Sequence, residues 1–145
     1  MKKQTIMTIL LTMTLLAGCG KDPADSYDTK MSAVITEVSN TTAALDAIDP
    51  SAPDASDTVL AKLSELSASL HEAATLEMPS EYSDCEAPIS NAATYMTKAY
   101  ETYAQACSAE PFDAEAAGIA IGYYESSMES LARLGELLKS HETGN

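Results

Sequence analysis

The chain has 145 residues, with 22 acidic against 8 basic side chains, a net charge of −14 and a pI near 4.2. That length suits one domain with one core. So anionic a field repels nucleic acid and anionic lipid headgroups and steers toward basic partners or a loose cloud of cations, which disfavours a nucleic-acid role. By itself the charge also serves simply to keep a domain soluble and off a membrane face.

The first element is an export signal. Lys2 and Lys3 make a short positive start, Ile6 to Leu16 an apolar run, and Ala17 and Gly18 are small residues ahead of Cys19. The thirteen residues from Ile6 to Gly18 fall short of the ~20 that a helix needs to cross a bilayer, and three threonines dilute them. The run is therefore no stable span. An ordinary secretory signal would show a small-x-small site, which Leu16-Ala17-Gly18 fits less well.

Leu16-Ala17-Gly18-Cys19 resembles the lipobox of bacterial lipoproteins at all four positions. The resemblance implies diacylglyceryl transfer to the Cys19 thiol and cleavage between Gly18 and Cys19. It also implies a mature chain of 127 residues held by two or three acyl chains such as palmitate. At about 0.8 kcal/mol per buried methylene, such a set anchors stably without protein contact with lipid. The implied location is the outer face of the cell membrane, or the outer membrane if the organism has one, since Gly20 rather than Asp follows Cys19. Loss of Lys2 and Lys3 leaves 6 basic against 22 acidic residues, a net of −16.

Residues 19–26 read as a lipidated tether. Tyr27, Met31, Val34, Val38, Thr41, Leu45 and Ile48 then recur at spacings of four and three, predicting a first helix over about 24–48. Pro50 and Pro53 stop it, and Ser56 or Asp57 can cap a second helix with the seam Val59, Leu63, Leu66, Leu70, Ala73. Met78-Pro79 ends that segment. A third seam, Cys85, Ile89, Ala92, Met96, Ala99, Tyr103, Ala106, begins either at Ser80 with a kink or near Pro88, because proline is tolerated only in a first turn. Pro111 or Asp113 suits the opening of a fourth helix with the seam Ala117, Ile121, Tyr124, Met128, Leu131, Gly135, Leu138, widened by Ile119, Leu134 and Leu137. Residues 141–145 read as a frayed tail.

Four such segments joined by short turns can bury their seams only against one another. The expected fold is all-α, an antiparallel up-down-up-down four-helix bundle over residues 27–140 following a cleaved signal peptide at 1–18. Pro79-Ser80-Glu81-Tyr82 and the alanines and tyrosines from Ala99 to Ala106 are similar to those of small helical lipoproteins of Gram-positive bacteria. That likeness carries no active site across.

Cys85 and Cys107 lie 22 residues apart on one expected helix, roughly 33 Å at about 1.5 Å per residue, too far for a disulfide. They are expected as unpaired, largely buried thiols. His71 and His141 have no partner at metal-ligand spacing, and no Glu-x-x-His pattern is present, so no metal site and no cofactor beyond the Cys19 lipid is expected. Asp46, Asp49, Asp54 and Asp57 match no calcium-loop spacing and suit loop solubility and capping. Tyr95, Tyr100, Tyr103, Tyr123 and Tyr124 are the candidate ligand or partner surface, with core packing as their other use. Gly118 and Gly122 would let the fourth helix approach a neighbour. No catalytic group assembles, since a nucleophile needs a base in reach and a group to orient it.

The expected function is that of a non-enzymatic, membrane-anchored module binding another envelope component, in all expectation a protein. Its counterpart is a small-molecule or metal-binding sensor or carrier. The first requires an exposed apolar or tyrosine patch, the second an internal pocket near the tyrosines.

Overall fold

The computed structural model describes residues 23–143, so the signal, the cleavage site at Gly18 and the lipidation site at Cys19 lie outside the described residues. Four α-helices follow in order: α1 (Pro23–Asp46), α2 (Ala55–Ala74), α3 (Glu86–Ser108) and α4 (Ala114–Thr143), with a 3-10 turn over Ser80–Cys85 ahead of α3. There is no strand among the described residues. Pro23 opens α1 as a first helical residue, where its missing N–H costs nothing. The tether expected over 19–26 therefore yields its last four residues to the helix.

Each helix packs on the next, α1 on α2, α2 on α3 and α3 on α4. The contacts between α3 and α4 run in opposite senses: Asp84 meets His141, the Ala92 carbonyl meets Ser127, and the Tyr103 ring meets Phe112. The Ser67–Thr97 hydrogen bond joins α2 to α3, and the Asp57 charge near the start of α2 acts on Cys107 near the end of α3, which gives these two helices the same relation. Successive helices are thus neighbours in the all-helical fold.

Three of the four seams are buried as the periodicity predicts. Met31, Leu66, Leu70, Ile89 and Met96 are each at most 1% exposed, and burial of such a side chain contributes about 1.5–3 kcal/mol. Pro88 falls in the first turn of α3, where the 3-10 turn hands over to the α-helix at Glu86. Asp113 opens α4 by accepting hydrogen bonds from the N–H groups of Glu115 and Ala116, both at 3.0 Å. Asp54 precedes α2 rather than Ser56 or Asp57, and it makes no side-chain cap.

The fourth seam is different. α4 buries Ala120, Ser127, Leu134 and Leu138, while Ile121, expected inside, is 57% exposed. The reason is close approach. Ser127 is fully buried and donates to the Ala92 carbonyl at 2.8 Å, a contact that brings the two backbones together through small side chains and turns the bulkier isoleucines outward. Hydropathy ranks Ile above Ala and Ser, so the pattern places Ile121 inside, whereas Tyr124, Met128 and Leu131 of the same seam do pack against the core. Its far end also differs from expectation: α4 continues to Thr143, and His141 belongs to it rather than to a frayed tail.

Candidate functional site

At the end of the bundle where α1 begins, residues from three elements converge. Tyr27 of α1 lies with its ring 5.0 Å from that of Tyr82 in the 3-10 turn, and Tyr82 lies 4.7 Å from the imidazole of His141 on α4. The three rings follow one another in a row, tilted by 41° and 48°. Tyr82 is buried and donates its hydroxyl to Asp28 at 2.8 Å, which fixes it against α1. Burial raises its pKa above the ordinary value, with the Asp28 hydrogen bond acting in the same direction.

His141 Nε2 lies 2.9 Å from Asp84 Oδ1, and the Cys85 thiol donates to the same oxygen at 3.6 Å. One donor atom each from Asp84, Cys85 and His141 falls within 4.8 Å of the other two. Asp84 is exposed, and the hydrogen bond from His141 holds its carboxyl below the usual range. Cys85 is fully buried as the residue preceding α3, and burial pushes its thiol up to about 12, helped by the charge of Asp84. Burial likewise pushes Tyr27 up to about 12, with Cys85 and Asp28 adding to it. The Tyr27 hydroxyl is buried and finds no hydrogen-bond partner among the described residues.

Sequence reasoning named these residues separately but missed that they meet. Fifty-six positions separate Cys85 from His141, and no local spacing reports a contact made by the return of α4. The signal that was available is modest: Asp84-Cys85 at a helix start and a histidine at the end of the last seam. Cys85 and Cys107 are both free, as their separation requires, the first at the start of α3 and the second in its last turn. Burial raises the Cys107 pKa as well.

The five candidate tyrosines do not form one site. Tyr100, Tyr103, Tyr123 and Tyr124 pack half-buried against the core. Tyr95 and Tyr123 flank the Lys98 ammonium, which sits 5.9 and 5.6 Å from their ring centres. Tyr103 meets Phe112 edge to face, and Tyr124 lies beside Thr42 and Asp46 of α1. His71 is exposed at an open depression between α2 and α3, away from the other histidine. Of the loop aspartates, Asp49 accepts from the Ser51 N–H and hydroxyl at 2.9 and 2.7 Å, a turn that lowers its pKa.

The opposite end of the bundle is apolar at its surface. Phe112 is 47% exposed, Ile119 51% and Ile121 57%. Gly118 and Gly122 have no atom among the described residues near enough to meet an added Cβ, so these glycines allow no close approach within the described part of the chain. No protein-family model, no curated protein and no solved structure matches the chain.

Proposed function

We propose that this protein is a membrane-anchored bacterial lipoprotein whose acidic helical bundle binds another component of the cell envelope without catalysing a reaction. The observation that supports this reading is the exposed apolar start of α4, carried by Phe112, Ile119 and Ile121. A chain lipidated at Cys19 enters α1 four residues later, so the anchor reaches the Tyr27–His141 end within about 14 Å. Twenty helical residues separate His141 from Ile121, about 30 Å at 1.5 Å each. The apolar surface then faces away from the lipid that the anchor occupies, and a protein is the fitting partner for it. No helix among the described residues is long and apolar enough to cross a membrane.

A nucleophilic role for Cys85 runs against its surroundings. Cysteine, histidine and aspartate are the residue types of a thiol hydrolase, but Asp84 lies between the other two instead of behind the histidine. The thiol is also fully buried and pushed up to about 12, which leaves little thiolate at neutral pH. The carrier reading draws its support from this same group of residues, as a ligand set.

The test has two arms. Labelled palmitate should enter the wild-type chain and be lost in Cys19→Ser, and persistent labelling there would remove the anchor. Cross-linking in native membranes followed by mass spectrometry should join the chain to one recurrent protein, and Ile119→Ser/Ile121→Ser should lose it. Absence of any recurrent partner, with a control lipoprotein captured, would overturn the binding reading.

A further inference from the structure

We propose that Asp84, Cys85 and His141 form a binding site for one divalent ion of the zinc class. The donor chemistry selects the ion. A thiolate, an imidazole and a carboxylate make a borderline S/N/O set that suits zinc, whereas calcium and magnesium take oxygen ligands almost exclusively.

The geometry is close to what such an ion needs. Bond lengths of about 2.0–2.3 Å to these donors put tetrahedral ligand atoms roughly 3.3–3.7 Å apart. The His141–Asp84 edge at 2.9 Å has to open by a few tenths of an ångström, the Cys85–Asp84 edge at 3.6 Å already fits, and the remaining edge is within 4.8 Å. Three ligands leave a fourth position for water.

The surroundings hold the ligands in place. The ring of Tyr82 lies against His141 and is itself tied to Asp28, so the imidazole is oriented by a neighbour that cannot swing away. Asp28 and Asp84 add negative charge around the thiol, which favours a cation there. The independent observation is Tyr27. Its hydroxyl is buried within electrostatic reach of Cys85 and has no hydrogen-bond partner among the described residues, although a buried hydroxyl ordinarily has one. A metal-bound water supplies the kind of partner it lacks.

Binding balances simply. The Cys85 S–H bond breaks, a sulfur–metal bond forms, and the proton leaves to solvent, with His141 ligating through Nε2 as the neutral imidazole. The site is separate from the apolar surface of α4, and its failure would leave the partner-binding reading untouched.

The experiment is an anaerobic cobalt(II) titration of the full-length mature lipoprotein in detergent, with zinc(II) as competitor. The expected result is saturation at one ion per chain, with a thiolate-to-cobalt charge-transfer band and intense visible bands that zinc abolishes. Cys85→Ser should lose the charge-transfer band and Cys107→Ser should keep it. His141→Ala, at a partly exposed helix end, should retain the wild-type circular dichroism and weaken cobalt binding by more than the roughly 10–100-fold that loss of an outer-shell partner costs. It serves as the decisive variant if Cys85→Ser fails to fold. No saturable band in the wild type, a band that survives Cys85→Ser or is lost in Cys107→Ser, or unchanged affinity in a folded His141→Ala would overturn the site.

Discussion

The two ends of this bundle treat their aromatic side chains in opposite ways. Where α1 begins, Tyr27 and Tyr82 are buried in a tilted row with His141, and a hydroxyl, a carboxylate, a thiol and an imidazole sit among them. Where α4 begins, Phe112 meets one tyrosine edge and is otherwise half in solvent, beside two exposed isoleucines. The difference lies in what each end buries. α1, the 3-10 turn and α4 all bring side chains to the first. At the second, the first turns of α4 bury only Ala120, so large apolar side chains there stay in water. One end is built to be closed and the other is left open.

The sharpest way to break this comparison is to cut the same kind of side chain from each end. Tyr82→Ala should cost about 3–5 kcal/mol in urea denaturation, since it empties a buried site and frees both neighbouring rings. Phe112→Ala should stay within about 0.5 kcal/mol. Equal losses at the two ends would mean that the contrast in burial carries no energetic weight.

A somewhat smaller effect tests the interface between them. Ser127→Leu places a large side chain where the α3 backbone is already in hydrogen-bond contact, and overpacking should cost about 1–3 kcal/mol. If the true seam were the one that contains Ile121, this substitution would stabilise instead.

The closed end should also loosen in alkali. Cys85 moves from an ordinary 9.0 to about 12 in the folded chain and Tyr27 from 10.0 to about 12, and Tyr82 is raised too. Groups whose folded pKa is raised favour the fold fully below the unfolded value and lose that contribution as pH climbs to the folded value. Stability in metal-free buffer should therefore fall between pH 9 and pH 12, and Cys85→Ala should shallow the fall at its start. A urea midpoint flat across that window would contradict it.

Tyr82→Phe is the finest probe. It keeps the ring contacts and removes only the hydrogen bond to half-exposed Asp28, so the expected loss is about 1 kcal/mol. A loss near that of Tyr82→Ala would assign the end's stability to the hydroxyl rather than to ring packing.

Much of this protein is legible along the chain. The alternation of fours and threes from Tyr27, Val59 and Cys85 determines three helices and their buried faces, because a 3.6-residue period brings those side chains onto one stripe whatever they pack against. Pro50, Pro53 and Pro79 mark where helices stop, since a proline removes a donor locally. The helix count and the impossibility of a Cys85–Cys107 bridge follow from the same local rules. What only the tertiary structure decided depends on pairs of helices. Ser127 is core because Ala92 lies opposite it, and Ile121 is surface for the same reason, a choice between faces that hydropathy alone makes wrongly. His141 becomes a ligand candidate only because α4 runs on to Thr143 and returns to the turn that carries Asp84 and Cys85. Periodicity describes one helix at a time, whereas a site shared by α4 and the start of α3 exists only once both are packed.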